Sequence, residues 1–139
     1  MTDNERAVVE IAAVAEHVAS LTAAAAAFQL RPDVPRAPSD AGLPGALVSL
    51  DEGDMPAESA GILAEIGDWA RQSLGVARAP AIWRALAHHP RLLEATWRKD
   101  RLVLGAGALD EMVKGCAALA VAQFRQSGYW VPYLTQLLR

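Results

Sequence analysis

Alanine decides what this chain can become. It occurs 29 times in 139 residues, five of them in the unbroken run from Ala23 to Ala27. Alanine gives up no side-chain entropy in a helix and hides no polar group there. A chain this rich in it is predicted to be all-α, built from thin helices that pack closely. Hydrophobic residues make up 53% and charged residues 21%. That is enough apolar surface for a real core and far from the composition of disordered chains. The length suits one domain.

Residues 4–28 read as the first helix, with Val8, Ile11, Ala12, Ala15, Val18 and Ala19 recurring at helical spacing. His17 is expected in solvent. Pro32, Pro35, Pro38 and Pro44, with two glycines, then forbid any helix. They form a linker or an extended strap, followed by the short apolar piece ALVSL. Residues 1–50 are therefore an N-terminal helix plus a Pro-rich linker. Residues 51–139 are a helical domain, and the two parts are expected to form one compact unit.

In that second part, DMPAESAGILAEIGDWARQSLG is a marked helix. Asp54 is placed to cap it, Pro56 falls in its first turn, and Gly75 is its stop. Ile62, Leu63, Ile66, Trp69, Ala70 and Leu74 share its apolar face. A short helix follows from Ala81 to Ala87, and another runs from Pro90 to about Leu104 with Leu93, Trp97 and Arg101 on one side. The last long helix starts near Asp110. Its apolar stripe is Leu109, Met112, Val113, Cys116, Leu119, Ala120 and Phe124.

Several function classes fall away. Cys116 is the single cysteine, so one chain holds no disulfide, no CxxC pair and no thiolate-rich metal centre. No cofactor or metal is implied. Glu10, Glu16 and His17 interrupt the first helix, which argues against a membrane span, and no leader pattern is visible. The expected location is cytoplasmic. Residues 1–70 hold 12 acidic and 3 basic side chains, a balance of −9, whereas residues 71–139 hold 4 acidic and 10 basic, a balance of +6. The basic residues are scattered and not interleaved with aromatics. Nucleic acid is thus a poor partner for them, and the two halves are expected to neutralise each other within the fold or across subunits.

The segments IWRALAHHPRLLEATW, GALDEMVK, LAV and YWV resemble the AhpD-like alkylhydroperoxidase and carboxymuconolactone decarboxylase superfamily. The resemblance covers residues 56–135 and leaves 1–50 outside. It implies an AhpD-like helical domain carrying an extra N-terminal helix and a Pro-rich strap. It also implies a homo-oligomer or a pairing with an active paralogue. The family's redox site is a glutamate followed by C-x-x-C-x-x-x-H on the next helix. There the cysteines reduce peroxide or disulfide while histidine and glutamate relay protons. The spacing i, i+3, i+7 puts the three side chains on one helix face. With Asp110, Lys114, Val121 and Tyr129 in register, Gly115 stands in the glutamate's place. Ser127 and Trp130 stand in place of the cysteines, and Leu134 in place of the histidine.

All four functional side chains are thus absent. Two readings follow. The first is a non-redox binding, scaffold or partner subunit that retains the fold, in effect a pseudoenzyme. Here Ser127 caps a helix and Trp130 fills the old pocket. Pro132 is tolerated because the last helix starts at about Tyr129 or Trp130. The second is an enzyme of the same fold, doing peroxidase-related or decarboxylase-like proton-transfer chemistry in a pocket drawn from His88, His89, Ser127, Cys116, Tyr129 and Tyr133. That reading requires at least two of these groups to converge. Each has a plainer reading. Cys116 on an apolar stripe suits a buried structural thiol, and the two histidines suit a helix end. Tyr129 and Tyr133 suit a small-molecule pocket or a subunit contact.

Overall fold

The computed structural model describes residues 2–35 and 45–139, so Pro38 and Pro44 lie outside the described residues. Its described residues are all-α, with no strand. Six α-helices follow in order: α1 (Asp3–Ala27), α2 (Ala60–Ser73), α3 (Ala81–Leu86), α4 (Pro90–Leu104), α5 (Glu111–Phe124) and α6 (Trp130–Leu137).

Local signals explain most of the boundaries. The Thr2 hydroxyl accepts the Glu5 N–H at 3.2 Å while the Glu5 carboxylate accepts the Thr2 N–H at 2.6 Å, a reciprocal cap that starts α1. Pro90 opens α4 and the His89 ring caps it; the Asp110 carboxylate caps α5, accepting from Val113 N–H at 2.8 Å. Gly75, at φ +69°, ends the chain's run through α2 in the left-handed region. One start differs from expectation. Asp54 does not cap α2: it lies in a 3₁₀ turn (Glu52–Asp54) and accepts the Ser49 hydroxyl. A second 3₁₀ turn (Ala57–Ser59) follows Pro56, so α2 begins only at Ala60. The proline's fixed φ and missing N–H suit that tight entry.

α1 has the length and mean hydropathy (1.4 over 18 residues) of a membrane-crossing helix. Here its Val14, Val18, Leu21 and Ala25 are buried in the same core as the other helices. It lies chiefly along α5 and touches α4. The described residues before 51 therefore contribute to one common core with 51–139.

The α5 surface that meets the interior is its small one: Gly115, Ala118 and Ala122, with Lys114. This corrects the expected orientation. Met112 is 57% exposed, Val113 44% and Phe124 88%, and Cys116 is exposed as well. Helical periodicity says which residues share a side, not which side faces in. Close packing of two alanine-rich helices selects the smaller side. The centre of the core is aromatic. Trp83 and Trp97 are buried edge-to-face at 5.2 Å, and half-buried Trp69 meets Trp97 at 5.3 Å.

The acidic first half and the basic second half meet within the one chain, in two exposed pairs and two with a buried cation. Glu16 pairs with Lys99, Glu65 with Arg98, Asp33 with Arg84 and Glu10 with Lys114. Arg84 is 3% exposed and spends its fork on three oxygens: Ala79 O at 2.9 Å, Leu50 O at 2.8 Å and Asp33 at 3.1 Å. It fastens the described ends of the Pro-rich segment to α3. Burial pushes the Asp33 carboxyl up even though Arg84 pulls it down. His17, expected in solvent, is instead 2% exposed, and its Nε2 is 3.0 Å from Asp100 Oδ1. The ring turns inward because a partner on α4 satisfies it.

Candidate functional site

The four motif positions lie on and between two adjoining helices. Gly115 is on the buried side of α5; Ser127, Trp130 and Leu134 start and form α6, which packs on α5. Gln126 at φ +53° turns the chain after α5. Ser127 then acts as a cap, its hydroxyl accepting the Trp130 N–H at 3.0 Å. Because α6 starts at Trp130, Pro132 falls in the first turn. The Val131 N–H bonds back to Ser127 O at 3.2 Å, so Pro132 stands where the next amide would have bonded the Gly128 carbonyl, and that one bond is forgone.

The side chains at this address are packed against one another. Trp130 is 2% exposed, Tyr129 4%, Tyr133 3% and Leu134 1%. Trp130 stands edge-on to Tyr133 at 4.6 Å and to Tyr129 at 5.3 Å. A Cβ added at Gly115 would meet Leu138 Cδ2 at 2.6 Å. The Leu138 side chain therefore lies directly over Gly115, beside a cavity of about 300 Å³ that both residues line.

What remains here is poor in chemistry. Burial pushes the Tyr129 phenol far above its ordinary range, and the Asp33 charge adds to that. Tyr133 is driven up by burial, then by Asp100. The Tyr129 oxygen is already occupied, accepting the Ile82 N–H at 3.1 Å. The Ser127 oxygen is committed to its cap. Neither hydroxyl has a base in contact with it.

The other candidates are not gathered at this place. His88 and His89 are exposed. His88 Nε2 is 2.8 Å from Ser49 O, and His89 Nδ1 accepts the Leu92 N–H at 3.2 Å. They border a broad depression of about 720 Å³ whose other walls include Glu58, Ile62 and Glu94. Cys116 projects from the outer side of α5, correcting its expected burial. No group of three metal-binding side chains occurs among the described residues.

Comparison with family models, curated proteins and solved structures finds no match.

Sequence reasoning missed the polar fixtures around this centre. Lys114 is 2% exposed, its Nζ donating to Gly105 O at 2.6 Å and pairing with Glu10 at 3.1 Å. Glu10 also accepts the N–H groups of Ala108 (2.8 Å) and Leu109 (3.0 Å). Those two amides, then Lys114, hold its carboxyl down at about 2. The side chain lies against Gly107, where no Cβ would fit. The GAG break between α4 and α5 is thus a turn moulded around a carboxylate from α1. The small residues at 105–107 were a visible signal. Their partner, nearly a hundred positions away in sequence, was not.

Proposed function

We propose that this chain is an AhpD-like protein that has lost its redox site and works as a non-catalytic binding, scaffold or partner subunit in the cytoplasm. The observation carrying this reading is the filled address. Trp130 and Leu134 are buried where the family keeps its second Cys and its His, half-buried Ser127 stands at the first Cys position with its hydroxyl committed to Trp130 N–H, and Leu138 lies against Gly115 where the family keeps Glu. A catalytic thiol needs access and a depressed pKa, and no thiol is present at those positions. The outward side of α5 supports a partner role. Met112, Val113, Cys116 and Phe124 are more apolar surface than a solvated helix usually shows. A homo-oligomer or a complex with an active paralogue would cover it.

The test is peroxide reduction and thiol–disulfide exchange by the pure protein, with light scattering to give the assembly. No turnover above the Cys116→Ala variant is expected. Turnover that survives Cys116→Ala and matches an intact family member would overturn the reading.

A further inference from the structure

We infer that a cavity between α2, α4 and α5 binds a small monocarboxylate with an apolar body, through Arg101. The inference stands on the cavity alone and does not depend on the family resemblance.

The cavity has a volume of about 300 Å³ and is lined by Trp69, Ser73, Arg101, Leu104, Glu111 and Leu138, among others. That is the lower end of the range that takes small ligands. Its wall is divided about evenly between polar and apolar surface, the apolar part coming from Trp69, Leu104, Met112, Leu137 and Leu138, and one cation stands in it.

The state of that cation carries the argument. The Arg101 guanidinium lies 4.6 Å from the Trp69 ring centre and 5.0 Å from that of Trp97. Two indoles hold the plane, so little rotamer freedom remains to be lost on binding. A guanidinium has five N–H donors. Arg84 spends its own on three oxygens, and Lys114 is matched by Glu10 and Gly105 O. Arg101 has one ion-pair contact, Nη2 to Asp100 Oδ2 at a long 3.4 Å. Asp100 gives its other oxygen to His17 at 3.0 Å. The side chain is 34% exposed, and it lines the cavity. A planar, oriented and under-used fork beside apolar side chains is the natural receptor for a carboxylate, which it grips with two parallel hydrogen bonds.

Size and charge narrow the class. Trp69, Leu104 and Leu138 favour a compact apolar body. Glu111 on the rim disfavours a second negative charge on the ligand.

Phenylacetate is a suitable probe, with 2-phenylethanol as its neutral counterpart of similar shape. Isothermal titration and ligand-observed NMR on the full chain give the affinities. Phenylacetate should bind at roughly millimolar concentration or better. The alcohol should bind at least about tenfold more weakly, and Arg101→Gln should cost phenylacetate a similar factor, with Arg101→Lys falling between. Ser73→Trp fills the cavity without altering the guanidinium and should abolish binding. If Arg101→Gln fails to fold, the alcohol comparison and Ser73→Trp decide. The inference is overturned if phenylacetate does not bind the folded protein, if the alcohol binds equally well, or if Ser73→Trp leaves affinity unchanged.

Discussion

Replacing His17 by leucine should unfold this protein far more readily than a change on a surface helix would. His17 Nε2 and Asp100 Oδ1 are 3.0 Å apart, and the two residues are 2% and 3% exposed. A carboxylate can only accept, so Nε2 carries the proton of this bond. Leucine is of similar size, so His17→Leu leaves little cavity and removes chiefly the donor. Asp100 is then buried with only the 3.4 Å contact to Arg101. Breaking a buried pair from one side costs about 3–5 kcal/mol, and the surviving arginine contact places this case near the lower end. For a domain of this length that is a fall in Tm of roughly 10 °C or more. Asp100→Asn retains an acceptor for the imidazole and should cost only about 1 kcal/mol. The double variant His17→Leu with Asp100→Leu removes both partners, and should recover most of the loss. Urea denaturation of wild type, His17→Leu, Asp100→Leu and the double variant closes the cycle. Single costs that add to the double within about 0.5 kcal/mol would refute the reasoning, since they would show no coupling across the pair.

Three further outcomes follow from the same structure. Trp130→Ala should destabilise by about 3–5 kcal/mol, whereas Trp130→Phe should cost under about 1.5 kcal/mol; equal costs in thermal or urea unfolding would mean that bulk is not what Trp130 supplies. Glu10 has its carboxyl held at about 2 against an ordinary 4.5, so its contribution is fully present above the ordinary value and is lost as pH falls from there through about 2. The stability gap between wild type and Glu10→Gln should close over that window, and a gap that widens on acidification would contradict the assignment. Cys116 is exposed and should react with a thiol reagent in the native protein as fast as in urea; strong native protection would put it back inside, or under a partner.

Helix ends were legible wherever the signal was local. Pro90, the Asp110 cap and the Gly75 stop are single-residue instructions, and α4 begins and ends where they and the GAG break place it. The first turn of α2 was not, because the Pro56 entry could be satisfied by two 3₁₀ turns as well as by one longer helix. At α5 the stripe was real, but its direction depended on how closely α1 could approach, and that is a property of two helices at once. The candidate site divides in the same way. That Ser127 precedes a helix starting at Trp130 follows from Pro132 nearby in sequence. That Leu138 covers Gly115, or that Arg101 lies between Trp69 and Trp97, is a meeting of distant segments that no local pattern encodes.

α3 has only six residues, all of them buried. A helix that short does not hold together by itself in water, since nucleation takes more than its few hydrogen bonds return. One of its first free amides, at Ile82, is satisfied by the Tyr129 hydroxyl from 47 residues further along the chain. Order of assembly follows from this. On a ribosome the segment that becomes α3 emerges well before Tyr129, and must wait, unclosed, until the turn into α6 arrives. Closing of α3 therefore waits for Tyr129. A nascent chain halted before Tyr129 should show the α3 amides exchanging freely, and the finished protein should show them among its slowest.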